Sequence, residues 1–272
     1  MRIPFTKMHG LGNDFVVIQT QGGIQLPGDT IRQLGNRQTG IGFDQLLWLE
    51  PPRTEEGDVS YRIFNADGGE VEQCGNGARC IARFIGGEAG RELLLEHPGG
   101  LSRARLESNG DVSVELGEPD FRPESLPFIT EAGGPPYPID AGGQSVEIRI
   151  VSIGNPHAVI RVDDVDQAPV ATIGPLLETH AQFPNRANIS FMQVVAANRI
   201  RLRVYERGVG ETQACGTGAC AAVVVGQDDG ILDSIVEVEL PGGCVTVRWD
   251  GPGSPVWLTG EAITVFEGTV NI

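Results

Sequence analysis

The feature of this 272-residue sequence that most restricts its fold is a segment that occurs twice. Residues 64–79 align with residues 205–220 at a constant offset of 141, without a gap. Both copies open on an aromatic residue, carry Gly-Glu in the middle and end in Cys-Gly-x-Gly-Ala, at 74–78 and 215–219. A period this long exceeds the roughly 20–50 residues of solenoid repeats and indicates a duplicated domain.

Two further landmarks recur in the same order. The first pairs residues 11–18 with residues 153–160 at offset 142. The second pairs Asn36-Arg37 with Asn185-Arg186 at offset 149, and Phe43-x-Gln45 with Phe191-x-Gln193 at offset 148. Three recurrences in one order predict two related halves, each contributing one Cys-Gly-x-Gly turn. Pairing of the halves about a pseudo-twofold axis would place Cys74 and Cys215 on opposite sides of a cleft.

Hydrophobic periodicity predicts many strands and few helices in each half. Predicted strands cover residues 2–7, 14–19, 45–50, 59–65, 92–96, 101–107, 112–116, 145–153, 158–162, 189–195, 200–205, 235–239, 244–248, 256–259 and one or two strands within 262–272. Predicted helices cover residues 29–34, 79–85 after the first cysteine turn, 174–180, and 216–225 after the second. This pattern favours an α+β fold of two pseudo-symmetric, strand-rich domains over a doubly wound parallel sheet. Residues 118–123 mark the domain boundary, and the Gly/Pro-rich stretch from there to about 143 is expected to be loop.

Composition describes a soluble globular chain: 40% of residues are hydrophobic, 21% are charged, and mean hydropathy is −0.08. The net charge of −16 argues against nucleic-acid binding, because an acidic surface repels phosphates. Neither a secretory signal nor a membrane-length apolar run is recognised, so we expect a cytoplasmic protein without a membrane partner.

Five cysteines and a single lysine narrow the chemistry. An odd cysteine number without a secretory signal disfavours a disulfide framework, and the cysteine spacing lacks the Cys-x2-Cys pairs of structural zinc sites. A pyridoxal-phosphate enzyme needs a lysine for its Schiff base, and only Lys7 is present. We therefore expect neither a metal nor a cofactor.

A Cys-Gly-x-Gly turn that opens a helix suits anion binding and thiol chemistry. Its glycines let backbone N–H groups approach a ligand, and the helix N-terminus attracts a carboxylate. The partial positive charge at the helix N-terminus also lowers the pKa of a cysteine placed there from its ordinary value of about 8.5. Two such turns on one ligand would supply an acid and a base on opposite faces of a stereocentre, as inversion at Cα requires.

The motifs resemble the diaminopimelate epimerase family over essentially the full length. The resemblance rests on Asn65-Ala66-Asp67-Gly68 with Gln73-Cys74-Gly75-Asn76-Gly77-Ala78-Arg79, on residues 205–212 with 214–218, and on the shorter motifs at 12–15, 42–45, 154–157 and 186–188. One departure is Gly69, where the family usually has Ser, outside the residues assigned to chemistry.

The resemblance implies cofactor-independent conversion of LL- to meso-diaminopimelate, for lysine and peptidoglycan precursors. It implies Cys74 and Cys215 as the acid/base pair, with Cys215 accepting and Cys74 donating the proton in the LL-to-meso direction, and His157 and Glu206 tuning the thiols. Implied substrate-binding residues are Asn13, Gln45, Asn65, Gly75, Asn76, Asn155, Asn188, Glu206, Arg207, Gly216 and Thr217. It further implies a homodimer, domains of 1–118 and 119–262, and a last strand, 263–272, that returns to the first domain, with the active site in the cleft between them.

Other interpretations remain open at this stage. Residues 216–221 mimic a G-x-G-x-x-A dinucleotide fingerprint, but the preceding residues do not suggest the strand it requires. A two-cysteine racemase acting on proline or hydroxyproline and a non-enzymatic thiol sensor are the alternative functions. Ordinary structural roles are expected for the other three cysteines, Cys80, Cys220 and Cys244. Without the resemblance, Asn13 and Asn155 would equally suit turns, His157 would be a structural histidine and Gln45 an ordinary strand amide.

Overall fold

The protein was analysed as a computed structural model that describes residues 2–23, 26–71 and 74–271. Glu72 and Gln73 of the first repeated segment lie outside the described residues, as does Ile272 at the end of the last predicted strand. The chain divides into two compact units, residues 1–115 with 259–272 and residues 116–258.

The described residues form 18 strands and four α-helices. The strands are β1 Arg2–Gly10, β2 Asn13–Gln19, β3 Gln45–Glu50, β4 Val59–Asn65, β5 Glu70–Val71, β6 Glu92–His97, β7 Gly100–Leu106, β8 Val112–Glu115, β9 Tyr137–Asp140, β10 Ser145–Ser152, β11 Pro156–Arg161, β12 Asn188–Ala196, β13 Arg199–Glu206, β14 Gly210–Glu211, β15 Ile235–Leu240, β16 Gly243–Trp249, β17 Val256–Gly260 and β18 Ile263–Asn271. The helices are α1 Gly28–Gly35, α2 Gly75–Ile85, α3 Val170–Glu178 and α4 Gly216–Asp228.

The first unit is a curved sheet in the order β18-β1-β2-β3-β4-β6-β7-β8. The β2–β3 and β4–β6 pairs are parallel, and the other pairs are antiparallel. Helix α2 touches β1 and β2 near one end of this order and β7 and β8 at the other, so the sheet curls around the helix. A second helix, α1, covers β1–β3 with an apolar layer that includes Ile31, Leu34 and Trp48.

The second unit repeats this plan in the order β9-β10-β11-β12-β13-β15-β16. Its parallel pairs are β11–β12 and β13–β15, the counterparts of β2–β3 and β4–β6. Helix α4 is apolar on every side and touches β10 to β13 and β16, which explains why it is buried from Gly218 to Gly226. The α+β prediction of two strand-rich domains, each wrapped around a principal helix, is confirmed.

Strand register corrects one of the three sequence landmarks. In the first unit Phe15 pairs with Gln45, and Gln45 with Asn65. In the second unit His157, which is equivalent to Phe15 at offset 142, pairs with Asn188. Gln45 therefore corresponds to Asn188 and not to Gln193, so the proposed match through Phe191 was wrong by five residues. Two buried phenylalanines misled the alignment because apolar residues recur along any buried strand.

Two element predictions were also wrong. The predicted loop up to residue 143 contains β9, where Tyr137 and Ile139 are buried and Pro138 and Asp140 are exposed. This strand pairs with β10 and takes the place that β18 occupies beside β1. Helix α3 runs from Val170 to Glu178 and not from 174 to 180, because Pro175 is accommodated within it and the loop after Thr179 ends it.

Candidate active site

Each unit places one cysteine at the N-cap of its principal helix. Cys74 has extended backbone (φ −145°, ψ 113°) immediately before α2, and its Sγ accepts a hydrogen bond from the Gly77 N–H at 3.5 Å. Gly77 allows close packing at this turn, since a Cβ there would lie 3.0 Å from Leu47 Cδ2. The motif thus folds locally into a turn that caps a helix with sulfur.

Polar side chains surround the Cys74 thiol. Asn13 Oδ1 lies 3.8 Å from Cys74 Sγ and accepts a hydrogen bond from Asn76 Nδ2 at 3.4 Å. Asn76 Oδ1 in turn accepts from Arg79 Nη2 at 2.9 Å. Asn76 and Arg79 are buried within the first turns of α2, so the helix carries a cation close to its capping cysteine.

Gln45 and Asn65 face each other across β3 and β4. Gln45 Nε2 donates to Asn65 Oδ1 at 2.9 Å, whereas the buried Gln45 Oε1 has no hydrogen-bond partner among the described residues. A buried acceptor without a partner is costly unless a ligand donor reaches it. This pair suits the ammonium group of a substrate.

An ion-pair network supports the other side of Asn13. The Lys7 amine binds the Asp14 carboxylate and the Gly42 carbonyl, and Arg37 bridges Asp14 and Asp44 at 2.6 and 2.8 Å. Partial burial acts to raise the pKa of Asp14, but hydrogen bonds from Arg37 and Lys7 outweigh it and hold that pKa well below its usual range. The network keeps Asp14 ionised and holds both carboxylates in place near Asn13.

In the second unit Cys215 caps α4 and is only 4% exposed. Its Sγ lies 3.7 Å from Thr217 Oγ1. Gly218 makes this geometry possible, because a Cβ there would meet both Val204 Cγ2 at 3.0 Å and Cys215 Sγ at 3.2 Å.

Glu206 sets the charge next to this second thiol. Burial raises the pKa of Cys215 well above its ordinary value, and the Glu206 carboxylate raises it further, while the Gly218 N–H and the Thr217 hydroxyl oppose the shift. Burial also raises the pKa of Glu206, against hydrogen bonds from Thr212 and from the Cys215 thiol. Cys215 is therefore held as a thiol beside Glu206.

His157 acts on the same turn through Asn155. His157 is fully buried, and its Nε2 donates to Asn155 Oδ1 at 2.9 Å. Burial lowers the pKa of His157 to about 3, with a further contribution from Arg207, so the ring is neutral. Asn155 Nδ2 then donates to Thr217 Oγ1 at 3.4 Å, which links the histidine to the cysteine turn.

Asn188 and Arg207 complete the second set. The Asn188 amide donates to the Pro156 carbonyl at 3.2 Å and accepts from the Arg207 N–H at 3.0 Å. The Arg207 guanidinium is exposed and donates to the Asn185 carbonyl at 3.4 Å. The turn that follows is held by Glu178, which accepts from the Gly208 N–H at 2.9 Å.

Each unit therefore assembles its own share of the sequence-predicted residues. The first unit brings together Asn13, Gln45, Asn65, Cys74, Gly75 and Asn76, and the second brings together Asn155, His157, Asn188, Glu206, Arg207, Cys215, Gly216 and Thr217. Sequence reasoning assigned no role to Asp44 or Arg79, although both lie inside the quoted motifs. A charged residue in the apolar, buried stretch of a helix was the available signal for Arg79.

Within residues 2–23, 26–71 and 74–271 there is no cluster of three or more His, Cys, Asp or Glu side chains placed to hold a metal ion. Over the same part of the chain, none of the helices has the length and apolar character needed to cross a bilayer.

Comparison with known proteins places the chain in a family. The sequence profile of diaminopimelate epimerase matches residues 5–122 and 149–265. The chain is 54% identical to the diaminopimelate epimerase of Nitrosomonas eutropha and 50% identical to that of Pseudomonas aeruginosa strain PAO1, over the full length of both chains in each case.

Solved structures share the fold at low sequence identity. A hydroxyproline epimerase from Agrobacterium vitis superposes with a TM-score of 0.70 at 17% identity, covering 99% of this chain and 91% of the other. A phenazine biosynthesis protein of the PhzF family from Bacillus anthracis gives a TM-score of 0.67 at 18% identity, with full coverage of both. Given the full-length profile match and identities of 50% and above, the chain belongs to the diaminopimelate epimerase family and is an isomerase.

Proposed function

We propose that the protein interconverts LL- and meso-2,6-diaminopimelate by proton transfer between two cysteines, Cys74 and Cys215, without a cofactor. The observation that carries the proposal is the equivalent placement of the two thiols, each at the N-cap of the principal helix of its unit. The family of the relatives supplies the substrate, and the helix N-termini supply the means of holding its reacting carboxylate.

The first residues of α2 and α4 suit that carboxylate. The backbone N–H groups of Gly75 and Asn76, and of Gly216 and Thr217, lie in the first turn of their helices, where N–H groups point outwards from the helix end. Such N–H groups and the helix dipole stabilise negative charge, which grows on the carboxylate as the α-proton leaves. We assign both turns to one substrate, with one turn supplied by domain 1–118 with 263–272 and the other by domain 119–262.

In the LL-to-meso direction the Cys215 thiolate takes the α-proton. The C–H bond breaks and its electron pair is delocalised into the carboxylate. Cys74 then gives its thiol proton to the opposite face of Cα, leaving Cys215 as thiol and Cys74 as thiolate. The reverse reaction exchanges the roles, and no redox partner is needed.

Substrate binding supplies the base at Cys215. The ligand-free thiol is protonated because burial and the Glu206 carboxylate both raise its pKa. The α-ammonium of the substrate, placed against Glu206, offsets that carboxylate charge and lowers the pKa of Cys215 when the substrate arrives. Cys215 then releases its thiol proton to water as the substrate enters, and the thiolate left in the dry site is a strong base, as the very weakly acidic α-proton requires.

The amide side chains account for selectivity. Diaminopimelate has two ammonium and two carboxylate groups, and neutral amides can bind either kind. Gln45 Oε1, buried and unpartnered among the described residues, is assigned to an ammonium group, and the exposed Arg207 to the distal carboxylate. A substrate without the distal end would leave such groups unpaired and be rejected by roughly 10⁴-fold.

The direct test is incubation of reduced protein with LL-diaminopimelate in D2O, without added cofactor, followed by chiral chromatography and mass spectrometry. We expect meso product with one deuterium at the inverted α-carbon. Turnover of proline or hydroxyproline instead would retain the two-thiol site and overturn the substrate. Absence of product and exchange with all three substrates would leave a thiol sensor.

We further propose a cytoplasmic homodimer that associates through β18. Ile263, Val265 and Phe266 are 42%, 54% and 48% exposed, an apolar cluster that a partner subunit would bury. Sedimentation equilibrium should give twice the 29.0 kDa chain mass, and Phe266→Asp should give the monomer mass. A monomeric native protein would overturn this proposal without affecting the chemistry.

A further inference from the structure

Four side chains of the first unit form a chain of hydrogen bonds with opposite charges at its two ends. Asp44 Oδ2 accepts from Asn13 Nδ2 at 3.1 Å, Asn13 Oδ1 accepts from Asn76 Nδ2 at 3.4 Å, and Asn76 Oδ1 accepts from Arg79 Nη2 at 2.9 Å. Both amides therefore point their nitrogen towards the anion and their oxygen towards the cation.

This orientation is the only one that the charged ends allow. Reversing the Asn13 amide would put its oxygen against the Asp44 carboxylate, and reversing Asn76 would put its nitrogen against the Arg79 guanidinium. Hydrogen bonds to charged groups are stronger than neutral ones, and neighbouring bonds in a chain polarise one another. The two ends act together on the two amides.

Asp44 and Arg79, at the two ends of this hydrogen-bond chain, are each held by further hydrogen bonds. Asp44 Oδ1 accepts from Arg37 at 2.8 Å while Oδ2 also accepts from the Asp14 N–H at 3.1 Å. The Arg79 Nε donates to the Glu261 carbonyl at 3.2 Å. Gly10 leaves room for the guanidinium, since a Cβ there would lie 3.2 Å from Arg79 Nη2.

The orientation of the Asn13 amide determines which of its atoms lies next to Cys74. Asn13 Oδ1, and not Nδ2, lies 3.8 Å from Cys74 Sγ. A carbonyl oxygen accepts a hydrogen bond from a thiol, whereas an amide N–H would donate one to the sulfur and favour the thiolate. We propose that Asp44 and Arg79 are positioning residues that fix the Asn13 amide, so that Cys74 is held as the protonated partner.

This inference rests on the proposed function only in treating Cys74 as a reacting group. Arg79 is completely buried, so its replacement risks the fold. Asp44 lies at the solvent-exposed end of the hydrogen-bond chain, so it is the better site for substitution.

The first experiment is a double-mutant cycle with Asp44→Asn and Asn13→Ala, read as kcat/KM for LL-diaminopimelate. We expect D44N alone to lower kcat/KM roughly 10-fold, chiefly through kcat, and to have less than about a twofold effect in the N13A background. Asp44→Glu, which keeps the charge, should restore part of the loss. Additive effects of D44N and N13A would overturn the proposal, because Asp44 would then act independently of Asn13.

Asp58→Asn is the matched control. Asp58, like Asp44, accepts from one arginine and one backbone N–H, those of Arg91 and Leu94 at 2.6 and 2.8 Å. It takes no part in the amide chain, so D58N should leave kcat/KM within about twofold. An equal loss in D58N and D44N would show a general effect of losing an ion pair and would also overturn the proposal.

The second readout does not depend on turnover. Peptide mass spectrometry can follow the alkylation of Cys74 by iodoacetamide at fixed pH. The rate should rise about threefold or more in D44N and stay unchanged in D58N. Thermal denaturation of each variant reports whether it is folded. An unchanged Cys74 rate in folded D44N contradicts the positioning role, whereas absence of epimerisation by the native protein contradicts the proposed function alone.

Discussion

The two cysteine turns share a backbone and differ in what surrounds the sulfur. Helix α2 after Cys74 carries the buried cation Arg79, whereas the equivalent position of α4, five residues after Cys215, is the apolar Cys220. Conversely, neutral Asn65 of the first unit corresponds to the acidic Glu206 of the second, which raises the pKa of Cys215 in addition to burial.

The equivalent asparagines also point in opposite directions. Asn13 presents its oxygen to the cysteine turn and its nitrogen to Asp44. Asn155 presents its nitrogen to Thr217 and its oxygen to His157. The two units thus share a cysteine at a helix N-terminus, and their different neighbours make the two thiols unequal. An epimerase acting on one end of a substrate with unlike faces needs that inequality.

Removal of either sulfur should have the largest effect on epimerisation. Cys74→Ala or Cys215→Ala should lower the epimerisation rate by roughly 100- to 10,000-fold, because each face of Cα needs a proton donor or acceptor. The measurement is product formation and deuterium uptake in D2O, with circular dichroism as the check of folding. Cys80→Ala, which alters a buried cysteine outside the proposed chemistry, is the control, and near-native rates in C74A or C215A would contradict a two-base mechanism.

Glu206→Gln makes the second turn resemble the neutral first one. Loss of the carboxylate removes one cause of the raised pKa of Cys215, so that pKa should fall and more thiolate should be present at a given pH. Alkylation of Cys215 should therefore be faster, while kcat/KM falls roughly 10- to 100-fold through loss of the charged contact to substrate. Slower alkylation of Cys215 in this variant would contradict the assigned electrostatics.

His157→Phe places in the second unit the residue type that the first has at Phe15. The pKa of His157 is lowered to about 3 in the folded protein, so below pH about 6.5 the unfolded state binds the extra proton and wild-type stability falls by up to about 1.4 kcal/mol per pH unit. H157F lacks this loss. Urea unfolding should show that its stability declines about 2 kcal/mol less than that of wild type between pH 6.5 and 4.5. Equal declines would contradict a neutral buried histidine.

The smallest expected effects concern the third residue after each cysteine. Gly77→Ala and Gly218→Ala should each cost about 1 kcal/mol, since the added methyl meets Leu47 Cδ2 and Val204 Cγ2, respectively, at 3.0 Å. G218A should lower kcat more than G77A, because its methyl also meets Cys215 Sγ at 3.2 Å, whereas in the first unit the contact is with Cys74 Cβ at 3.5 Å. Urea unfolding measures the loss of stability, and steady-state kinetics measures the loss of kcat. A larger loss of kcat in G77A than in G218A would contradict this expectation.

Much of the fold followed from the sequence, since strand periodicity and the duplicated turn are local patterns. The register of the third landmark did not, because Phe43, two residues before β3, and Phe191, within β12, are both buried apolar residues and either alignment satisfies the pattern. Strand β9 was missed because its four residues lie in a Gly/Pro-rich segment, where only pairing with β10 reveals them. Site residues were predicted through the family motifs, and their roles in catalysis stay a prediction.

The sequence by itself determined the family, the duplication and the two cysteines that cap helices, because these depend on residues within a few positions of one another. Tertiary structure alone decided which way each asparagine amide points and which charge lies beside each thiol. The partners come from distant elements: Asn13 meets Asp44 31 positions away, and Arg79 meets Glu261 across 182. Local motifs set backbone geometry, but a hydrogen bond's direction and a buried charge's field depend on what packing brings within a few ångströms.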